Sequence, residues 1–298
     1  PGYSHERPTL LLNSHIDTVR PVNGWTRNPF SPDDDGERIY GLGSNDAGAS
    51  VVSLTAAFLL LSQRQQRYNL VFLASCEEEV SGKGGIEAVL PLLPKIDVAL
   101  VGEPTEMHPA VAEKGLMVLD GEIAGKSGHA ARDEGENAIY KALPMIERLR
   151  SLSFPLTSAH LGPVKISVTQ ISAGTQHNVV PDMCRIVVDV RTTDAYTNEQ
   201  TLEMIRQAVP FCKLTPRSVR LRPSGISEQH PIVRRLVIAG RKPFGSPTLS
   251  DQALMPFPSL KIGPGESARS HTADEYITYD EIREAIQIYF TTLDGLAL

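Results

Sequence analysis

The sequence predicts an α/β fold: a main domain with a mostly parallel sheet flanked by helices, interrupted by an inserted α+β domain of ferredoxin-like type. Three observations predict it. In the first third of the 298 residues, short apolar runs alternate with helical segments, as in a parallel sheet covered on both faces. Further on, longer alternating strands follow one another in the order β-α-β-β-α-β. After Pro223-Ser224-Gly225 the first texture returns. The expected boundaries are 1–111 and 221–298 for the main domain and 112–220 for the insertion.

Taken in order, Thr9-Leu10-Leu11-Leu12-Asn13-Ser14 has the length and composition of a strand, and 47–61 is a helix of small residues. Tyr68-Asn69-Leu70-Val71-Phe72-Leu73-Ala74 reads as a strand buried on both faces. A helix over 84–92 and a strand at Ile96-Asp97-Val98-Ala99-Leu100-Val101 follow. In the insertion, Leu116-Met117-Val118-Leu119-Asp120-Gly121-Glu122-Ile123 is mostly apolar with some alternation, and 137–149 is an amphipathic helix. Alternating strands at 164–171 and 183–190, a polar helix over 198–208 and a last strand at 218–221 complete it. The basic run 217–222 reads as that strand's exposed face. The main domain then closes with a helix over 230–239, a short strand at Ser259-Leu260-Lys261-Ile262, and an amphipathic helix over 279–293 with Asp280 near its start.

Composition narrows the function. With 41% hydrophobic and 21% charged residues the chain can bury a sizeable core. Lys+Arg 29 against Asp+Glu 35 gives a net charge of -6, which argues against nucleic acid or an anionic membrane as the main partner and favours a small-molecule substrate. No apolar run approaches the length of a membrane span, and the longest, around Ala56-Ala57-Phe58-Leu59-Leu60-Leu61, reads as a helix end. The chain starts Pro1-Gly2-Tyr3 without Met and without an apolar leader segment. Cys76, Cys184 and Cys212 are odd in number and far apart, which points to a reducing, cytoplasmic setting without structural disulfides.

The chemistry is concentrated where strands end. Open parallel sheets bind ligands beyond the C-terminal ends of their strands. The first strand ends in His15-Ile16-Asp17, the run 68–74 in Ser75-Cys76-Glu77-Glu78-Glu79, and the run 96–101 in Gly102-Glu103. Gly41-Leu42-Gly43-Ser44-Asn45-Asp46 opens a helix, and Gly263-Pro264-Gly265 leads to Ser270-His271. Three adjacent carboxylates beyond a buried strand are too costly to leave uncompensated. Imidazole and carboxylate together suit zinc, with cobalt or manganese as alternatives. His15, Asp46, Glu79, Glu103 and His271 are therefore expected to converge on two metal ions, with Asp46 as the bridge. Asp17 is placed to accept the second ring N–H of His15, and Glu78 is free to act as general base. Whether base and ligand are Glu78 and Glu79 or Glu77 and Glu78 stays open. Gly41-Leu42-Gly43 is half a dinucleotide fingerprint without its third glycine or a preceding buried strand, so no nucleotide cofactor is expected. His5, His108, His160 and His230 read as surface residues.

Leu12-Asn13-Ser14-His15-Ile16-Asp17-Thr18-Val19, Gly41-Leu42-Gly43-Ser44-Asn45-Asp46, Glu77-Glu78-Glu79, Gly102-Glu103-Pro104-Thr105 and the late His271 resemble the di-zinc amidohydrolase and metallopeptidase family that includes acetylornithine deacetylase, succinyl-diaminopimelate desuccinylase, aminoacylase and glutamate carboxypeptidase. The resemblance covers essentially the whole chain. It implies that His15 and Glu103 hold one zinc and Glu79 and His271 the other, that Glu78 is the base, and that the insertion is a dimerisation or lid domain. It also implies that His129, in Gly125-Lys126-Ser127-Gly128-His129-Ala130, reaches into the site of the other subunit of a homodimer and stabilises an oxyanion. Asn178, Arg191 and the turn at Gly265 would hold a substrate carboxylate. The implied reaction is cytoplasmic hydrolysis of an N-acyl amino acid, with N-acetylornithine in arginine biosynthesis the leading substrate. Citrulline or succinyl analogues, a succinyl-diaminopimelate desuccinylase and a dipeptidase or carboxypeptidase are the alternatives. A non-catalytic metal-binding protein on the same fold is the alternative of a different class. Two features depart from the family: little chain precedes His15, and Ala47-Gly48-Ala49-Ser50 stands where Met-Lys-Gly-Gly is more common.

Overall fold

A computed structural model describes residues 2–298, which divide into two compact units, one of residues up to Ala112 together with Ser224–Leu298 and the other Glu113–Pro223. In chain order the strands are β1 (Thr9–His15), β2 (Asp33–Asp34), β3 (Arg38–Tyr40), β4 (Asn69–Ser75), β5 (Val98–Val101), β6 (Ala110–Glu113), β7 (Gly115–Ala124), β8 (Lys165–Ala173), β9 (Met183–Thr192), β10 (Lys213–Pro216), β11 (Ser224–Gly225), β12 (Phe244–Ser246), β13 (Ser259–Lys261) and β14 (Tyr276–Thr278). The helices are α1 (Ala49–Ser62), α2 (Ile86–Val89), α3 (Ala138–Ser151), α4 (Asn198–Ala208), α5 (Pro231–Ile238) and α6 (Tyr279–Leu293).

The first unit is built on a seven-stranded sheet in the order β11-β6-β13-β5-β1-β4, with β12 beside β6. Its centre is parallel: β1 pairs with β4 and β5, and β13 with β5, while β6 runs antiparallel to β13. Side chains of β1 alternate between two cores. Leu10 and Leu12 join Leu54, Ala57 and Leu61 of α1 and Ala285, Tyr289 and Leu293 of α6 on one face. Leu11 meets Ile86 of α2, Val101 and Met255 on the other. The three leucines are fully buried, and each contributes about 2 kcal/mol. Helix α6 starts on a capping box in which Thr278 and Glu281 satisfy one another's backbone N–H groups.

Two sequence expectations need correction here. The run 68–74 was expected to be buried on both faces, but β4 is the sheet's edge strand and most of its side chains are half-buried; the doubly buried strand is β1. Apolar content alone does not separate an edge strand from a central one. Ser44–Ser62 is also a 19-residue segment long and apolar enough to cross a bilayer, although no such run was expected. Asp46 and Ala47 are non-helical, the regular helix begins at Ala49, and 44% of the segment's apolar 18-residue window is buried, Leu54, Ala57 and Leu61 within the core.

The second unit follows the element order β7-α3-β8-β9-α4-β10, and its antiparallel sheet has the strand order β10-β7-β9-β8. Met117, Leu119 and Ile123 of β7 pack with Cys184, Ile186 and Val188 of β9 beneath Ala142 and Leu149 of α3 and Ile205 of α4. The last strand lies at Lys213–Pro216, not at 218–221. Pro216 ends it, and the Val219 and Leu221 carbonyls are taken by the buried side chain of Asn198. Within the basic run, Arg217 pairs with Asp120 and Arg222 with Glu199.

Candidate metal centre

The register of the sheet brings the chemistry together. His15 ends β1 opposite Ser75, the last residue of β4, and Asn13 stands opposite Val101, the last residue of β5. The loops beyond these strand ends therefore open at one sheet edge. Glu78 and Glu79 arrive from the loop after β4 and Glu103 from the loop after β5. Gly102 makes the second delivery possible: a Cβ there would lie 2.7 Å from Leu54 and 2.8 Å from Ser50 of α1. The fourth segment, 41–48, turns at Gly43 with φ +75°, a conformation that favours glycine, and presents Asp46. His271 comes from the loop before β14 and, at φ 59°, sits in the left-handed region, the kind of backbone outlier that clusters at functional sites.

The geometry centres on Asp46. Its Oδ1 lies 3.1 Å from His15 Nε2, and the same nitrogen is 3.7 Å from Glu103 Oε1. Its Oδ2 faces the other way, 3.7 Å from His271 Nε2, which is 3.1 Å from Glu79 Oε2. One carboxylate thus shows one oxygen to His15 and Glu103 and the other to Glu79 and His271. Ligand atoms of His15, Glu78 and Glu103 lie within 4.8 Å of one another, as do those of His15, Asp46 and Glu79.

The electrostatics demand cations. Glu103 is buried, and its Oε1 has no hydrogen-bond partner among the described residues. Burial pushes the Glu103 carboxyl well above its ordinary value, and the carboxylates of Asp46 and Glu78 add to it. Burial also raises Glu78, to about 8, against the opposing pull of His15, and the charges of Asp251, Glu79 and Asp46 add to the rise. For His15 burial acts downward, yet the hydrogen bond with Asp46 and the charges of Glu103 and Glu78 push it to about 11. A cluster of carboxylate oxygens around the buried His15 imidazole, with the more exposed His271 at its side and one buried oxygen unpartnered, fits two divalent ions of the zinc type.

Two expectations change, and the geometry bears on the register that the sequence left open. The His15 Nδ1–H donates to the backbone carbonyl of Asp17 at 2.9 Å, and the Asp17 carboxylate is farther away, at 3.6 Å. That carboxylate instead accepts the backbone N–H groups of Glu78 and Glu79, each at 3.2 Å, and so fixes the turn that carries them. Glu77 bends away at φ 60° and accepts the N–H of Gly84, which leaves Glu78 and Glu79 facing the cluster. Gly265 does not line the cavity at the cluster. Its carbonyl accepts the Glu106 N–H, the Gly263 N–H goes to Thr105 Oγ1, and Pro264 has none to offer. The cavity, about 420 Å³, is bounded by Asp46, Glu78, Glu79, Glu103 and His271 and by a wall that includes Phe244, Thr248 and the buried Lys261, whose ammonium donates to Thr248.

His129, Asn178 and Arg191 lie in the second unit. His129 pairs with Val179 in a β-bridge, the Ala130 N–H donates to the Asn178 carbonyl at 3.0 Å, and His129 Nδ1 accepts the Ala131 N–H at 3.1 Å. Arg191 makes a two-pronged pair with Asp189 on its own strand, at 2.9 and 3.2 Å. His230 was read as a surface residue, but its ring accepts the Ile232 N–H and caps α5. Sequence reasoning missed Asn45, Asp251 and Glu275, all buried. Asp251 accepts from Asn13 Nδ2 at 2.9 Å and from Ser75 Oγ at 2.6 Å, and its charge acts on Glu78.

Residues 11–295 match the peptidase family M20/M25/M40. An acetylornithine deacetylase of Myxococcus xanthus is 30% identical over 94% of this chain and 78% of its own length. Among solved structures, the aminopeptidase PepT of Bacillus cereus superposes with a TM-score of 0.77 at 20% identity, covering 99% of this chain and 82% of that one. A Bacillus subtilis protein described as a dinuclear metal binding peptidase from the M20 family superposes with a TM-score of 0.69 at 18% identity, over 97% of this chain and 82% of that one.

Proposed function

The chain belongs to the peptidase family M20/M25/M40 and is a metal-dependent amidohydrolase, and from that premise we propose that it hydrolyses the amide of a small N-acyl amino acid, N-acetylornithine first among the candidates. His15, Glu103 and Asp46 would hold one ion and Glu79, His271 and Asp46 the other, with zinc expected and cobalt or manganese able to replace it. Bound there, the ions would supply Lewis-acid activation of a water and of the amide carbonyl. Glu78 takes the proton of the attacking water and hands it to the leaving amine as the C–N bond breaks. Asp17 holds the backbone of Glu78 and Glu79 in place. The observation that carries this reading is the division of the two Asp46 oxygens between His15 and His271, with Glu78 beside His15 and Glu103.

In the same reading the second unit completes the site in a homodimer. His129 of the partner subunit stabilises the developing oxyanion, and Asn178 and Arg191 bind the α-carboxylate. Support for dimerisation through this unit comes from its surface. Strand β8 is an open sheet edge, and Tyr140 and Leu143 of α3 and Ile171 of β8 are exposed large hydrophobic residues.

The test is Glu78→Gln assayed on N-acetylornithine, N-acetylcitrulline, N-succinyl analogues and dipeptides. Turnover of the preferred substrate should fall about 10³-fold while both ions stay bound. Zinc-loaded wild-type protein that cleaves none of these amides would refute the substrate class, and an unaffected Glu78→Gln enzyme would refute the role of Glu78.

A further inference from the structure

Glu275 is a carboxylate of the first unit that is 2% exposed, and it faces no lysine or arginine in its hydrogen bonding. Its three acceptor contacts are all to the backbone of one loop: Oε2 takes the Gly43 N–H at 2.9 Å, and Oε1 takes the N–H groups of Asn45 and Asp46 at 3.0 and 2.8 Å. A buried carboxylate satisfied by three converging amide groups is costly to desolvate and strongly directional, and it fixes the backbone that it grips. That backbone is the one that presents Asp46.

A second tie runs in the opposite direction. Asn45, wholly buried, donates through Nδ2 to the Glu266 carbonyl at 3.1 Å and to Ser270 Oγ at 3.2 Å, and its Oδ1 accepts the Glu266 N–H at 3.2 Å. Glu266 and Ser270 precede His271 on its own loop. The loop that carries Asp46 and the loop that carries His271 are therefore stitched together by Glu275 at one end and Asn45 at the other.

We propose that Glu275, with Asn45, is a positioning residue that sets the bridging geometry of Asp46 and couples it to His271, so that the second ion site exists only while this clamp is closed. The inference rests on the two-ion reading given above. Its consequence is asymmetric. Asp46 serves both ions, but the first keeps His15, the last residue of β1, and Glu103, just beyond the end of β5, whereas Glu79 lies farther beyond β4 and His271 sits on the very loop that the clamp holds. Loss of the clamp should weaken the second ion and largely spare the first.

Glu275→Gln separates this from bulk stability. The amide keeps one oxygen to accept from Asn45 and Asp46 but turns an N–H₂ toward the Gly43 N–H, donor against donor. Zinc titration by calorimetry, with native mass spectrometry to count ions on the folded molecules, should show two ions on the wild type. In the variant the second ion should bind about 10- to 100-fold more weakly, with the first little changed, which is the usual range for residues behind metal ligands. Glu275→Asp, which restores the charge but shortens the reach, should recover part of the loss. If Glu275→Gln does not fold, Asn45→Ala must weaken the second ion in the same way. Wild-type protein that binds no zinc pair refutes the two-ion reading itself. A wild type with two ions and a Glu275→Gln variant, or failing that an Asn45→Ala variant, that binds both with unchanged affinities overturns the clamp alone, even if its melting temperature falls.

Discussion

Chelating the ions should make the stability of the first unit fall as pH rises, over a range where the zinc-loaded protein changes little. Without cations the cluster compensates with protons. His15 is pushed from an ordinary 6.5 up to about 11, and Glu78 from 4.5 up to about 8. A group whose proton is held more tightly in the folded chain contributes stability that is complete below its unfolded value and is lost as pH climbs through its folded one. The Glu78 share thus fades between 4.5 and about 8 and the His15 share between 6.5 and about 11, so both act in the same direction from pH 6.5 to 8. Glu79, Glu103 and Asp251 are raised as well and carry the same sign. Asp46 is lowered: burial works against the shift, but the hydrogen bond and charge of His15, with Ser270 and His271, together outweigh it, and its contribution is lost only on acidification, outside this range.

Each extra proton is worth about 1.4 kcal/mol per pH unit. Two protons over that interval, those of Glu78 and His15, amount to about 4 kcal/mol. His15 and the carboxylates titrate as one coupled set, so about half, roughly 2 kcal/mol, is the expected loss. For a unit of this size that corresponds to a melting point lower by about 4–8 °C at pH 8 than at pH 6.5. Scanning calorimetry of chelated and zinc-loaded protein at both pH values reads it, with the transition of the second unit as internal control. Zinc binding near pH 7 should also release at least one proton, measured by titration in buffers of different ionisation enthalpy. A chelated first unit whose melting point is flat or rises with pH, together with proton-neutral zinc binding, would refute the account of the cluster.

His129→Ala should abolish turnover with both ions retained, and mixing it with Glu78→Gln should restore part of the activity, since each mixed dimer can assemble one intact site. A proven heterodimer that stays inactive would count against His129 acting on the partner subunit. Asp17→Asn should lower kcat about 10- to 100-fold with little change in zinc affinity, because His15 is oriented by the backbone carbonyl of Asp17, which the substitution keeps, while the turn of Glu78 and Glu79 loses one of its two acceptors. Zinc binding that falls in step with activity would show the Asp17 carboxylate supporting His15 after all.

The parts of the site that were legible in the sequence are those tied to strand ends. His15, Glu79 and Glu103 each follow an apolar run by a fixed small number of residues, and the parallel register does the rest. Asp46 was legible through the glycines before it. The residues that were missed have partners far away in the chain: Glu275 is held by backbone N–H groups, Asn45 mostly by the backbone of Glu266, and Asp251 by the side chains of Asn13 and Ser75. Glu275 is one acid in Asp274-Glu275-Tyr276, and nothing in that string says that its carboxylate collects three N–H groups more than two hundred residues earlier. Asp17 illustrates the same limit from the other side. Its place two residues after a ligand histidine predicted a side-chain contact, but a strand end leaves the backbone carbonyl nearer to the ring, and the carboxylate swings to the unpaired amides of the next loop.

That difference has a consequence for how the site tolerates change. Ligands delivered by the sheet inherit their positions from a core that includes Leu10, Leu12, Leu100 and Leu260, and only a change large enough to shift strands would move them. Ligands delivered by loops inherit theirs from single side chains: Asp46 from Glu275, His271 from Asn45, and Glu79 from Asp17. In the two-ion reading, all three ligands proposed for the second ion, Asp46, Glu79 and His271, depend on such side chains. Substitutions that leave the fold and the first ion intact can therefore silence this site by loosening one loop, and Asn45, Asp17 and Glu275 are where that should happen.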